Sequence, residues 1–181
     1  MSAYQGVLNC GKQGRNGWSF PRRLDLMLRL EFEGLKVLQL FGGQAAWGVR
    51  LDTDTIVRPD VIGDAWLPPF ARDSFEVVIL DPPYTSMNSQ EKNALGSQAA
   101  WIASKFVVWL HTLYIDFLPD CRLERYWFVI PGNQCLIRQL AFFAVRPEKR
   151  SPMKWVTRGP AMRYNRWRAQ PHGLPFPAEE K

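Results

Sequence analysis

The sequence predicts an α/β protein in which a largely parallel sheet carries helices on both faces and ends in a C-terminal antiparallel hairpin. Three observations predict it. Short apolar runs, Val37 to Phe41, Phe75 to Leu80 and Tyr126 to Ile130, each break off at glycine or proline, as parallel strands buried on both faces do. Helical periodicity lies between these runs, and strands alternating with helices build a three-layer sheet. Near the end, Leu140 to Val145 and Trp155 to Thr157 read as a terminal pair of strands.

Met1 to Ser19 is rich in Gly and Asn and is expected to be loop. Pro21 then opens a helix, with Leu24, Met27 and Leu28 on one face and Gly34 as its stop. The strand Val37 to Phe41 runs into Gly42-Gly43, and Val49 to Asp52 and Asp60 to Ile62 are two further short strands. Phe75 to Leu80 reads as the central strand and stops abruptly at Asp81-Pro82-Pro83-Tyr84. Thr85 to Ser97 is polar without a periodic face and is expected to be a loop. Ile102, Phe106, Trp109, Leu110, Leu113 and Phe117 recur at three- and four-residue steps with Lys105, Thr112 and Asp116 opposite, which predicts a helix ended by Pro119. Tyr126 to Ile130 is closed by Pro131-Gly132. There are no internal repeats, and Pro171 to Pro177 reads as an extended tail. The whole, 1–181, is expected to be a single domain, with an N-terminal loop at 1–20 and a basic, then Pro-rich, segment at 146–181.

A chain of 181 residues, 46% hydrophobic and 22% charged, can bury one proper core, which excludes a disordered or collagen-like protein. Cys10, Cys121 and Cys135 stand far apart with no CxxC pair, so neither a zinc site nor a disulfide framework is expected and a reducing, cytoplasmic compartment fits. Met1 to Gly6 lacks the basic start and apolar run of a signal peptide. Ala99 to Leu118 is apolar, but Lys105, His111 and Asp116 interrupt it, whereas a membrane span needs about 20 nearly uncharged residues. No membrane and no metal are expected.

The net charge of +6 is concentrated. Arg146, Lys149, Arg150, Lys154, Arg158, Arg163, Arg166 and Arg168 face the single anion Glu148 in that segment. Trp155, Tyr164 and Trp167 are interleaved among them. Cations meet phosphates while rings and guanidinium planes stack on bases, so Arg158, Arg163, Tyr164, Arg166, Trp167 and Arg168 suit nucleic acid. The other reading is a solvated basic tail. Lys12, Arg15, Arg22 and Arg23 around Trp18 and Phe20 form a second basic cluster.

Ligands of such sheets bind at the carboxyl ends of the strands. Two unusual loops fall there, Phe41-Gly42-Gly43-Gln44-Ala45 and Asp81-Pro82-Pro83-Tyr84. A Gly-Gly turn alone says little. Asp-Pro-Pro-Tyr is specific, since average composition places it in roughly one chain of this size in a thousand or fewer.

Over about Val37 to Ile130 the chain resembles the S-adenosylmethionine-dependent amino-methyltransferases, whose hallmark is Asp-Pro-Pro-Tyr after the fourth strand. The resemblance implies a compact Rossmann-like class I methyltransferase sheet, S-adenosylmethionine as cofactor, and methyl transfer to an exocyclic amino group of a nucleobase. Adenine N6 in DNA is the first expectation; cytosine N4, or guanine N2 or adenine N6 in RNA, are alternatives. It further implies that the Asp81 carboxylate and the Pro82 carbonyl accept hydrogen bonds from the amine, with Pro83 stiffening the turn and Tyr84 stacking on the base. An exocyclic amine is a poor nucleophile because its lone pair is delocalised into the ring. Two rigid acceptors favour a tetrahedral nitrogen and aim it at the methyl group, on a base flipped out of its stack.

Phe41, Gly42 and Gly43 resemble the cofactor loop. Asp52 or Asp54 resembles the ribose-binding acid, Asp64-Ala65 the adenine contact, and Gly11-Lys12 the N-terminal cofactor contact. The chain also departs from the family: Gln39 stands where an acid is usual, and Ala45 replaces a third glycine. The intervals 44–51 and 55–59 are too short for crossover helices, which normally need a dozen or more residues. No interval is long enough for a target-recognition domain, so recognition is expected from the Thr85 to Ser97 loop, the basic C-terminal segment or a protein partner. The competing expectation is a catalytically inactive, methyltransferase-like subunit that binds nucleic acid.

Overall fold

The computed structural model describes residues 4–11, 20–82, 87–112, 115, 117–131 and 137–148. Among these, eight strands form one sheet: β1 (Tyr4–Gly11), β2 (Val37–Leu40), β3 (Val49–Asp52), β4 (Val61–Ile62), β5 (Phe75–Leu80), β6 (Ala103–His111), β7 (Cys121–Pro131) and β8 (Arg138–Val145). The α-helices α1 (Arg22–Glu31) and α2 (Ser89–Ile102) pack on it. The strand order is β1-β7-β8-β6-β5-β2-β3-β4, and every neighbouring pair is parallel except the two that involve β8. From β2 the chain steps outward through β3 and β4, then returns to place β5 and β6 on the other side of β2. The gap between the carboxyl ends of β2 and β5 is therefore the topological switch point, where such sheets bind ligands.

The two-residue period of the strands sorts the core into two layers. Val37, Val77, Ile79, Val108 and Leu110 face Leu24, Leu28 and Phe32 around α1. Their neighbours Leu38, Leu40, Val78, Leu80, Val107 and Trp109 face Leu95, Ala99 and Ile102 of α2. Each fully buried leucine or valine contributes about 1.5–3 kcal/mol of transfer free energy. One helix thus covers each face, as the sequence predicts. Pro21 precedes α1, and Gly34, at φ +77°, turns the chain into β2.

The two short connections contain no α-helix. Residues 41–48 link β2 to β3 directly, and a single 3-10 turn, Thr55–Val57, links β3 to β4. Two side chains close these gaps. Trp47 joins the α1-side core and donates its Nε1–H to Asp25 Oδ1 at 2.8 Å, tying the first connection to α1. Arg50 reaches across the second, donating to Gly43 O at 3.4 Å, Val57 O at 3.3 Å and Arg58 O at 2.6 Å, and pairing with Asp60.

Three expectations are corrected. There is no helix through Ile102, Phe106, Trp109, Leu110 and Phe117: Ile102 ends α2, Phe106, Trp109 and Leu110 lie in β6, and Phe117 falls beyond it. Val107 to His111 are buried in succession on both faces, and a continuous apolar run satisfies every period, the helical one included. Leu113, Tyr114 and Asp116 lie outside the described residues. The predicted Thr85–Ser97 loop is largely α2, which opens on a capping box: Asn88 accepts from Glu91 N–H while Glu91 accepts from Asn88 N–H. Its buried residues are mostly small, Ala94, Gly96, Ser97, Ala99 and Ala100, with Leu95 and Ile102 the two large apolar ones, too few to mark a stripe.

The third correction is at Tyr4–Gly11, expected as loop, which is an edge strand parallel to β7. Its Gly- and Asn-containing sequence is a poor strand former, and only the distant β7 provides its ladder. The antiparallel hairpin is also redrawn: Arg138–Val145 pairs with β7, from Cys121↔Val145 to Val129↔Arg138, and Trp155 to Thr157 lies outside the described residues. The apolar stretch from Ala99 is divided between α2 and β6, and no described helix is long and apolar enough to cross a membrane.

Candidate active site at the switch point

After β2 the backbone turns through Phe41 at φ +61° and Gly43 at φ +49°. Gly42 is packed against the neighbouring strand: a Cβ there would stand 2.8 Å from Arg50 Cβ and 3.0 Å from Gln39 O. The turn is held at several points. Gly42 N–H donates to Leu51 O at 3.1 Å, Ala45 N–H to Gly42 O at 3.0 Å, and Gly43 N–H to Asp52 Oδ2 at 3.0 Å. Arg50 holds the Gly43 carbonyl from the other side.

The acids predicted at successive strand ends all lie at the carboxyl edge, with distinct surroundings. Asp52, at the end of β3, is 2% exposed; its Oδ2 serves Gly43 and its Oδ1 accepts from Asp54 N–H at 3.0 Å. Asp54 is half-buried and caps the 3-10 turn, accepting from Ile56 N–H at 2.9 Å. Asp64, after β4, accepts from Trp66 N–H at 3.0 Å. Burial pushes its carboxyl above the usual carboxylate range, and the Trp66 bond pulls part of the way back. Ala65 is buried beside Trp66 in the α2-side core.

Across from the glycine turn, β5 ends in Asp81, half-buried, and Pro82, buried. Phe41, Gly42 and Asp81 come together around one small depression, whose other walls are Phe20, Gln39, Leu40, Ala45 and Ile79. Asp52, Asp54, Asp64 and Ala65 do not line it. Lys12, Pro83 and Tyr84 lie outside the described residues, as do Arg158, Arg163, Tyr164, Arg166, Trp167 and Arg168.

Sequence reasoning singled out Phe20 and Gln39 but did not place either in the site. Phe20 sits just before Pro21, where a residue ahead of a helix folds back on it. Gln39 is the one polar residue within a strand buried on both faces, which was the signal available for it. His111, expected on a helix, is 1% exposed at the end of β6, opposite Gln139 and edge-on to Trp109 with ring centroids 6.1 Å apart.

The walls of the depression are apolar and aromatic, and its two polar side chains are Gln39 and Asp81. The depression itself is small, about 10 Å³, with room for about one water. A larger groove of about 690 Å³, lined by Asn93, Ser97, Phe117, Leu118, Asp120 and Arg146, lies at the opposite edge of the sheet, away from the strand ends that bind ligands.

No family model and no curated protein sequence matches the chain. Solved structures do. A candidate RNA methyltransferase of Pyrococcus horikoshii superposes with a TM-score of 0.56 at 16% identity, over 77% of this chain and 92% of that one. The PH0226 protein of Pyrococcus horikoshii OT3 gives a TM-score of 0.52 at 14% identity, over 71% of this chain and 92% of that one. At such identities the likeness is one of fold. Together with the strand order, it shows that the chain has the Rossmann-like α/β fold of these structures.

Proposed function

We propose that the protein transfers a methyl group from S-adenosylmethionine to an exocyclic amino group of a nucleobase, adenine N6 in DNA first among them. The observation that carries this reading is the position of Asp81 and Pro82. They follow directly on the central strand at the switch point, Asp81 shares a depression with Phe41 and Gly42 of the glycine turn, and the chain continues in sequence as Pro83-Tyr84. Bound S-adenosylmethionine supplies an electrophilic methyl on a sulfonium. Phe41, Gly42, Gln39 and Phe20 would hold it. Asp81 and the Pro82 carbonyl accept the two N–H groups of the target amine, localise its lone pair and aim it. Tyr84 stacks on the flipped base.

The basic segment Arg158 to Arg168 is proposed to grip the nucleic-acid backbone. The described chain ends at Glu148, at the amino edge of the sheet, where Arg146 N–H donates to Asp120 O and Arg72 to Pro147 O. Fifteen extended residues reach roughly 50 Å. The nine-residue β6 spans about 30 Å, so the segment has the length to reach the carboxyl edge. Arg22 and Arg23, exposed at the start of α1, already stand at that edge beside Phe20. RNA is the second reading, favoured by the name of one structural neighbour. A reducing cytoplasm suits the buried free thiols of Cys10 and Cys121, and a protein partner would supply target recognition.

The test is transfer of labelled methyl to duplex DNA, single-stranded DNA and RNA, followed by nucleoside analysis. Asp81→Ala is expected to abolish transfer while retaining cofactor-dependent thermal stabilisation, which at 100 times Kd amounts to about 2.7 kcal/mol. Full activity in that variant overturns the mechanism. No label and no stabilisation in the wild type point to the inactive binding subunit.

A further inference from the structure

The 690 Å³ groove lies between α2 and residues 117–120, which lead into β7. Leu118 presses onto α2 at Gly96, where a Cβ would stand 2.3 Å from Leu118 Cδ1, so this wall is tightly packed. Its neighbour Phe117 is 66% exposed, the one aromatic ring among the described large apolar side chains that are exposed. The opposite wall is the end of the described chain, Arg146, Pro147 and Glu148. Arg146 N–H donates to Asp120 O at 2.9 Å, and Arg72 donates to Pro147 O at 3.2 Å. The Arg72 guanidinium in turn stands over the Trp101 ring, 5.2 Å from its centroid. The chain thus runs on past Glu148 from a clamped point on the rim of the groove.

Residues 149–181 follow. Their first apolar side chains are Pro152, Met153, Trp155 and Val156, set among Lys149, Arg150 and Lys154 with no acid. The groove complements them. Phe117 and Leu118 offer apolar contact, and the Asp120 and Glu148 carboxylates outnumber the Arg146 cation. Trp155 lies within about 23 Å of Glu148 when the chain is extended, ample for a groove whose α2 residues, Ser97 and Asn93, stand about 6 Å apart. A tether this short gives an effective concentration on the order of millimolar, so even a weak fit fills the groove ahead of a free partner. We propose that residues 152–156 of this same chain dock in the groove, with Trp155 as the aromatic anchor beside Phe117. A segment laid from Glu148 toward Asn93 heads for the start of α2 at Ser89, on the carboxyl edge, and would carry residues 158–168 toward Asp81. That route matters only to the methyl-transfer reading above; the docking does not depend on it.

The test is photo-crosslinking of the full chain in dilute solution, with Phe117 replaced by p-benzoylphenylalanine. No cofactor or nucleic acid is added, so the result stands whether or not the protein transfers methyl groups. Mass spectrometry of the digested monomer is expected to find the main adduct within residues 152–156 of the same chain. Trp155→Ser keeps Met153 as a target for the crosslinker and removes only the anchor. It is expected to lower the yield about tenfold or more, as the loss of one large buried side chain requires. An unchanged yield in Trp155→Ser reduces the adduct to proximity along the chain and overturns the proposal. An adduct elsewhere in the chain overturns it, and so does the absence of any adduct. An adduct joining two chains also overturns it and makes the groove a site of self-association. If the replacement at Phe117 does not fold, the crosslinker at Asn93, on the facing side of the groove, decides by the same outcomes.

Discussion

Asp52 stands where a ribose-binding acid is expected, yet its carboxylate is committed to the protein's own backbone. Asp52→Ala separates the two roles. The substitution leaves Gly43 N–H, whose bond is buried, and Asp54 N–H, whose bond is partly buried, without their acceptor. An abandoned buried donor costs about 1–3 kcal/mol, and a partly buried one about 1 kcal/mol, so the apo protein should lose about 2–4 kcal/mol. A domain of this size holds about 5–15 kcal/mol in total. With a urea m-value of roughly 2 kcal/mol/M, the unfolding midpoint should fall by about 1–2 M, with no ligand present. Asp52→Asn keeps one acceptor oxygen and should lose about half as much. Asp54→Ala gives up the cap on Ile56 N–H, an exposed bond, worth about 0.5–1 kcal/mol. The assay is equilibrium urea denaturation followed by tryptophan fluorescence. An Asp52→Ala midpoint matching wild type, or an Asp54→Ala loss larger than that of Asp52→Ala, would refute the structural role assigned to Asp52.

Gly42→Ala should destabilise the protein by about 1–3 kcal/mol, because the new Cβ meets Arg50 Cα at 3.1 Å and Gln39 O at 3.0 Å, backbone atoms that cannot swing aside; urea midpoints check it. Asp64→Asn should be more stable than wild type at neutral pH. Burial raises the folded carboxyl pKa above its unfolded value, so the wild type loses stability as the pH rises from the unfolded pKa through the folded one and carries the full cost above it. The advantage should vanish as the acid is protonated, and a pH series of melting temperatures reads this directly. Neutralising Arg163, Arg166 and Arg168 should weaken nucleic-acid binding and flatten its dependence on salt, by about 0.9 per lost phosphate contact on duplex DNA. An unchanged slope would make the segment a tail.

Local signals located the carboxyl-edge loops well. Val49 to Asp52 and Phe75 to Leu80 are strands with the predicted bounds. Glycine and proline end strands by backbone geometry alone, whatever the rest of the chain does. The Ile102 to Phe117 region failed for the opposite reason. Val107-Val108-Trp109-Leu110 is apolar at every position, so its periodicity does not distinguish helix from strand; neighbours on both sides of β6 decide. In α2 the buried face is mostly small residues beside Leu95 and Ile102, and the Asn88–Glu91 capping box marks its start locally. Gln39 was visible as a departure from a family pattern, but its hydrogen bond to the Trp47 carbonyl depends on the turn that brings Trp47 beside it.

By itself, then, the sequence determined the α/β class, the positions of the two loops at the strand ends, the absence of room for two crossover helices, and the stop of the central strand at Asp81-Pro82. These follow from residue types that restrict their own backbone or carry their own functional group. Tertiary structure alone decided which strands border the switch point, that Tyr4–Gly11 is a strand, that Asp52 braces Gly43, and that Trp47 and Arg50 do the work of missing helices. Each of these depends on hydrogen bonds and packing between segments far apart in space until the chain folds, and no local pattern encodes which donor will meet which acceptor.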